Sequence, residues 1–173
     1  MAKRSNLGSP RDDWDTIDPR AVKYLMPHLN GIETFCEPCY GSGFLANELE
    51  AHGLKCVRAA EIKKGTDALA LVGDDLAGAD AIITNPPWSR EKLHPLIRHL
   101  VTLGVPVWLL FDSDWSFNRG SYAYLLHCTH IVPVGRLRWV PGTTMQGKDN
   151  VAWYRFCGSV HGAGPTLYPR SFR

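Results

Sequence analysis

Residues 33–61 begin Glu33-Thr34-Phe35-Cys36-Glu37-Pro38-Cys39-Tyr40-Gly41-Ser42-Gly43, continue through Phe44 to His52-Gly53, and close with Lys55 to Ala60 and Glu61. Glu33–Glu37 is short, apolar and aromatic enough for a strand. Phe44, Leu45 and Leu49 recur at helical spacing, and His52-Gly53 stops the helix. Lys55–Ala60 is a second strand with an acid at its end. Gly41 and Gly43 permit a tight turn and let a ligand approach the backbone, while the helix start offers free N–H groups. The order strand, glycine turn, helix, strand, acid is that of a nucleotide-binding βαβ unit. Glu61 lies 18 residues after Gly43, close to the roughly 20 expected of a carboxylate that accepts from ribose hydroxyls. Position 46 is Ala, so the full G-x-G-x-x-G pattern fails, which favours a nucleoside ligand without a pyrophosphate.

Downstream, Ala79–Ile83 is an apolar, β-branched run that stops at Thr84-Asn85-Pro86-Pro87-Trp88. Proline cannot donate to a sheet ladder, so the chain leaves the sheet there. The prolines stiffen a lip carrying the Asn85 carboxamide, the Pro86 C=O and the Trp88 ring. Two acceptors beside a flat apolar face suit a planar group with an exocyclic amine; a proline-capped strand end with a core Trp is the bland alternative.

The remaining chain extends an alternating pattern. Asp18-Pro19 starts a helix whose Val22, Leu25, Met26 and Leu29 form one face, ended by Asn30-Gly31. Residues 62–78 hold room for one helical turn or a short strand. Arg90–Leu103 is a helix with Leu93, Leu96, Ile97 and Leu100 as its stripe, and Val105–Phe111 a central parallel strand. Asp112–Asn118 is a polar, aromatic loop, followed by a helix over Tyr122–His127. Strands over Ile131–Val140 and Val151–Cys157, joined without a helix, predict an antiparallel hairpin. The expected fold is α/β and Rossmann-like: a doubly wound, mostly parallel sheet of about six or seven strands with a C-terminal antiparallel hairpin. We expect a loose arm over 1–13, one domain over 14–160 and a tail over 161–173.

Composition narrows the class. The chain has 173 residues, 45% hydrophobic and 21% charged, ordinary for a globular protein. No run approaches membrane-helix length and the Met1-Ala2-Lys3-Arg4 start lacks an apolar signal core, so a cytoplasmic protein without membrane contact is expected. Five scattered cysteines fit reduced thiols. Cys36-Glu37-Pro38-Cys39 matches C-x-x-C, but it overlaps the glycine turn and supplies too few ligands for zinc, so no metal is expected. The net charge of +2 divides unevenly: residues 1–114 carry 12 Lys/Arg against 16 Asp/Glu, residues 115–173 seven against Asp149 alone. A one-sided basic segment is a candidate polyanion surface.

On these motifs the chain resembles the class I S-adenosylmethionine-dependent amino-methyltransferases, especially small, phage-type DNA adenine-N6 methyltransferases. Glu37-Pro38-Cys39-Tyr40-Gly41-Ser42-Gly43 looks like the cofactor motif, Glu61 like the ribose-binding acid, and Asn85-Pro86-Pro87-Trp88 like the catalytic motif. Asp67 is similar to the acid that contacts the cofactor's adenine, and Trp14-Asp15-Thr16 to the motif flanking the cofactor. Asp67 reads equally as the cap of a helix starting at Ala68. The resemblance covers roughly residues 14–157 and implies S-adenosylmethionine as cofactor, with Glu37, Pro38, Gly41, Gly43, Glu61, Asp67 and Thr16 around it. It implies methyl transfer to the amino group of adenine in DNA, and the host cytoplasm for a phage-encoded chain. The chain departs from the family in the short 62–78 segment and in having no separate target-recognition domain. Arg136 and Arg138, on one face of their strand, and Lys148 would hold phosphates, or else protect an edge strand. The lip serves any planar amide or amine. RNA adenine or guanine, protein glutamine, an inactive cofactor- or nucleic-acid-binding module, and a C-x-x-C redox protein are the other readings.

Overall fold

The computed structural model describes residues 15–169. The 1–13 arm, Trp14 and the last four residues of the tail lie outside it.

Among the described residues seven strands form one sheet: β1 (Thr34–Glu37), β2 (Lys55–Ala59), β3 (Ala81–Thr84), β4 (Val107–Asp112), β5 (Cys128–Gly135), β6 (Val151–Phe156) and β7 (Thr166–Leu167). Their order is β2-β1-β3-β4-β6-β5-β7. β1 pairs parallel with β2 and β3, β3 with β4, and β5 with β7. β6 alone runs the other way, inserted between β4 and β5 and antiparallel to both. The expected fold class and C-terminal hairpin are therefore present. The hairpin's second strand, rather than its first, joins the parallel part of the sheet.

Helices cover both faces, which is why the central strands are continuously apolar. On one face α1 (Arg20–Leu25) and α2 (Phe44–Ala51) pack Leu25, Leu45 and Leu49 against Phe35, Trp108 and Trp153. On the other α3 (Arg90–Leu100) packs Leu93, Leu96 and Ile97 against Ile82, Leu109 and Phe111. β4 alternates between the two: Val107, Leu109 and Phe111 face one side, Trp108 and Leu110 the other.

Several boundaries differ from the sequence expectation. The helix expected to reach Leu103 ends at Leu100, with one 3-10 turn over Val101–Leu103. The helix expected over 122–127 is only α4 (Tyr122–Leu125). The 62–78 segment forms three 3-10 turns, Ile62–Lys64, Ala68–Ala70 and Gly73–Leu76, and adds no strand, so β2 stays at the sheet edge. The strand expected over 131–140 is shifted: β5 spans Cys128–Gly135 and ends where Gly135 takes φ +89° after a register slip near Pro133. Arg136 and Arg138 thus leave the sheet and do not share a strand face. Within the tail, β7 pairs beside β5, with Tyr168 N–H donating to Ile131 O at 2.9 Å.

Candidate active site

The turn after β1 needs its glycines for both conformation and space. Gly41 has φ +52° and Gly43 φ +83°, the left-handed region that side chains disfavour. A Cβ on Gly43 would sit 2.6 Å from the Tyr40 ring, and one on Gly41 would run into the Asp15 carboxylate. Asp15 Oδ1 accepts from Ser42 N–H at 3.1 Å, and Glu61 Oε2 accepts from Gly41 N–H at 2.7 Å. The other Glu61 oxygen, Oε1, accepts from Lys63 N–H at 3.1 Å. Two backbone donors thus fix the acid at the end of β2 against the glycine turn.

Next along the rim is the lip. Thr84 closes β3; Asn85, Pro87 and Trp88 are half-buried and Pro86 is buried. Trp88 Nε1 donates to Asn85 Oδ1 at 3.0 Å. The Trp88 ring meets Trp139 edge-on, with centroids 5.3 Å apart and planes at 84°. Trp139 is held in turn by the 141–150 loop. Gly147 N–H donates to Leu137 O at 2.7 Å, and a Cβ on Gly147 would lie 2.6 Å from Trp139 Nε1.

Lip, turn and acid line one cleft of about 440 Å³, within the roughly 300–1,000 Å³ of small-molecule sites. Pro38, Gly41, Glu61, Asp67 and all four lip residues face it. Beside it is a cavity of about 20 Å³ lined by Thr16 and Glu37; Asp15, Cys39 and Asn85 belong to both walls. Thr16 Oγ1 and Glu37 Oε2 are buried there without a hydrogen-bond partner among the described residues. Burial raises the Glu37 carboxyl well above the usual range, against a hydrogen bond from the Ala46 backbone, and Asp15 and Glu61 push it further up. Asp67 Oδ1 accepts from Leu69 N–H at 2.9 Å, capping the 3-10 turn while the residue lines the cleft. Among the described residues, Asp15, Glu61, Asp67 and Glu91 share the cleft with two cations, Lys63 and Lys92, a balance that suits a cationic ligand.

No protein-family model and no curated protein matches the sequence. Among solved structures, the chain is similar to a crystal structure described as a "putative RNA methyltransferase" from Pyrococcus horikoshii. The TM-score is 0.54 at 15% identity, over 82% of this chain and 82% of that one. The likeness is one of fold.

In this Rossmann-like fold the cleft lies outside the carboxyl ends of β1, β2 and β3, where open α/β sheets bind ligands. Other expected residues lie elsewhere. Gly43 shapes the turn without lining the cleft. Arg136, Arg138 and Lys148 are exposed and line neither cavity. Arg138 is tied to Asp18, which accepts from its N–H at 3.0 Å and its Nε at 3.4 Å, and Arg20 donates to the Arg136 carbonyl at 3.0 Å. Burial alone would raise the Asp18 carboxyl; hydrogen bonds from the Arg20 side chain and from the Arg138 and Arg20 N–H groups, with the Arg20 charge, hold it far below the usual range. In the C-x-x-C segment burial pushes both thiols up to about 12, so neither Cys36 nor Cys39 is set up as a thiolate. No group of three or more His, Cys, Asp or Glu among the described residues is arranged for a metal ion. No described helix is long and apolar enough to cross a membrane.

Sequence reasoning missed Trp139 and much of the cleft wall, including Ile62, Lys63, Leu69, Glu91 and Lys92. Glu91 and Lys92 open the helix after the lip, and that adjacency was the one available signal. Nothing local marks Trp139, whose partner Trp88 is 51 residues away.

Proposed function

We propose that the chain transfers a methyl group from S-adenosylmethionine to the exocyclic amino group of adenine in DNA. One observation carries the reading: the Asn85–Trp88 lip, the glycine turn, Glu61 and Asp67 share a single cleft. The residues present fit the cofactor. The turn at Gly41 has no room for a Cβ, the cleft carries an acidic excess, and Thr16 Oγ1 and Glu37 Oε2 await a polar partner. Gly41 and the turn would hold it against the backbone, Glu61 would accept from the ribose hydroxyls and Asp67 from the adenine amine. S-adenosylmethionine supplies, when bound, an electrophilic methyl group on a sulfonium.

The protein's own part is to prepare the acceptor nitrogen, a poor nucleophile because its lone pair is delocalised into the ring. Asn85 Oδ1 and the Pro86 C=O, accepting the two amino hydrogens, favour a pyramidal nitrogen with its lone pair directed outward. The stiff Pro86-Pro87 pair holds these acceptors without reorganisation, the condition under which orientation and electrostatics contribute most to rate. Trp88 offers a stacking surface, worth about 1–3 kcal/mol per base, to a base swung out of the duplex.

The basic last third of the chain favours nucleic acid over a protein glutamine. RNA is the second reading, favoured by the similar fold of a structure described as an RNA methyltransferase. The test is transfer of tritiated methyl from S-adenosylmethionine to duplex DNA, single-stranded DNA, RNA and bulk protein, with Asn85→Ala as control. Label in DNA that digests to N6-methyladenine and vanishes in the variant is the expected result. Label in RNA moves the substrate and keeps the chemistry; no label anywhere, with cofactor still bound, overturns the enzyme reading.

A further inference from the structure

A glycine that the backbone does not require stands behind the lip. Gly147 does not have a positive φ, so its conformation admits other residues. Space is what excludes a side chain: a Cβ there would lie 2.6 Å from Trp139 Nε1 and 2.8 Å from its Cδ1. The 141–150 loop that carries Gly147 is tied along its length. Gly147 N–H donates to Leu137 O at 2.7 Å, Thr143 Oγ1 to Val140 O at 3.0 Å, and Ser113 N–H to Asn150 O at 2.9 Å. A fixed loop thus brings bare backbone against one indole. That indole meets Trp88 edge-on, with centroids 5.3 Å apart and planes at 84°, and Trp88 Nε1 donates to Asn85 Oδ1 at 3.0 Å. Close approaches therefore run without a break from Gly147 through Trp139 and Trp88 to the Asn85 carboxamide.

Trp139 lines neither the cleft nor the cavity beside it, so a part in the site runs through its neighbour. Edge-to-face packing is directional and sets the relative planes of two rings. The plane of Trp88 in turn sets the line of its N–H. A carboxamide oxygen accepts along two lone-pair directions, and an indole N–H held on one of them decides where the other points. We propose that Trp139, seated by Gly147, is a positioning residue that acts through Trp88 to aim Asn85 Oδ1 at the acceptor amine. The inference rests on the reading of the cleft as a methyl-transfer site. It places part of the control of the acceptor in the loop between β5 and β6, outside the cleft wall.

The experiment reads the Trp88–Asn85 bond directly. In isotope-labelled protein the Trp88 indole N–H resonance is the one lost in Trp88→Phe. It is followed in Trp139→Leu, Trp139→Phe and Gly147→Ala, with kcat and cofactor Kd measured on the same proteins. Trp139→Leu and Gly147→Ala should shift the resonance, lower kcat by about twofold to tenfold and leave cofactor Kd within about twofold. Trp139→Phe, which keeps a ring edge, should recover most of the loss. In the Trp88→Phe background, where the bond is already gone, Trp139→Leu should cost little more. A resonance that neither variant moves overturns the proposal. So do losses that multiply in the Trp88→Phe background, or a cofactor Kd that weakens in step with kcat. A wild type that methylates nothing overturns the reading of the cleft and this role with it, before any variant is compared. A moved resonance then shows that the failure lies in that reading and not in the coupling.

Discussion

Trp88 and Asn85 are joined inside the lip: the indole Nε1 donates to the carboxamide oxygen at 3.0 Å. The residue read as a stacking platform therefore also orients the acceptor it stands beside. Trp88→Phe keeps an aromatic face and removes the donor. With a net hydrogen bond worth about 0.5–1.5 kcal/mol, kcat should fall roughly two- to tenfold with cofactor Kd unchanged. Asn85→Ala removes the acceptor itself, and kcat should fall by about 100-fold or more. Steady-state kinetics with calorimetric cofactor binding separates the two effects.

Glu61 spends both carboxylate oxygens on backbone N–H groups, those of Gly41 and Lys63. Hydrogen bonds to a charged group are worth about 1.5–3 kcal/mol. Glu61→Ala should weaken cofactor binding by roughly 10- to 100-fold, and Glu61→Gln by less because one oxygen acceptor remains. Titration calorimetry reads both, and unchanged affinity in the alanine variant would count against a cofactor in this cleft.

Gly41 and Asp15 are in steric conflict with any side chain at position 41. Gly41→Ala pays twice, for a Cβ at φ +52° and for the encounter with the Asp15 carboxylate. The conformational part is about 1–2 kcal/mol. Asp15→Ala in the same chain should return only the steric part, so the double mutant should be markedly non-additive in Tm and in cofactor Kd.

Asp18 is buried and holds Arg20 and Arg138 together, and its folded carboxyl titrates well below the usual value. A depressed folded value contributes stability that is present above the unfolded carboxyl range near pH 4 and is lost as pH falls through the folded value. Asp18→Asn should cost about 2 kcal/mol at pH 7, roughly 4–8 °C in Tm for a chain of this size. The gap between variant and wild type should narrow steadily below about pH 4. Thermal melts from pH 7 to pH 2 test the sign directly.

The βαβ unit, the lip at the end of β3 and the antiparallel hairpin were all readable in advance. Each depends on short-range rules: side-chain period, the φ freedom of Gly41 and Gly43, and the missing N–H of Pro86 and Pro87. Since strand ends in a parallel sheet share one rim, even the meeting of Glu61 with the lip followed from local order. Position 138 shows where such rules stop. Arg138 reads as a phosphate contact on a strand, yet Asp18, 120 residues earlier, accepts from its backbone N–H and its Nε. Trp139 against Trp88, Asp15 across Ser42 and the insertion of β6 between β4 and β5 are decisions of the same kind. A buried charge takes the nearest donors, and a ring takes the nearest apolar wall. Which segments are nearest is set by packing across the whole sheet and by no residue's immediate neighbours.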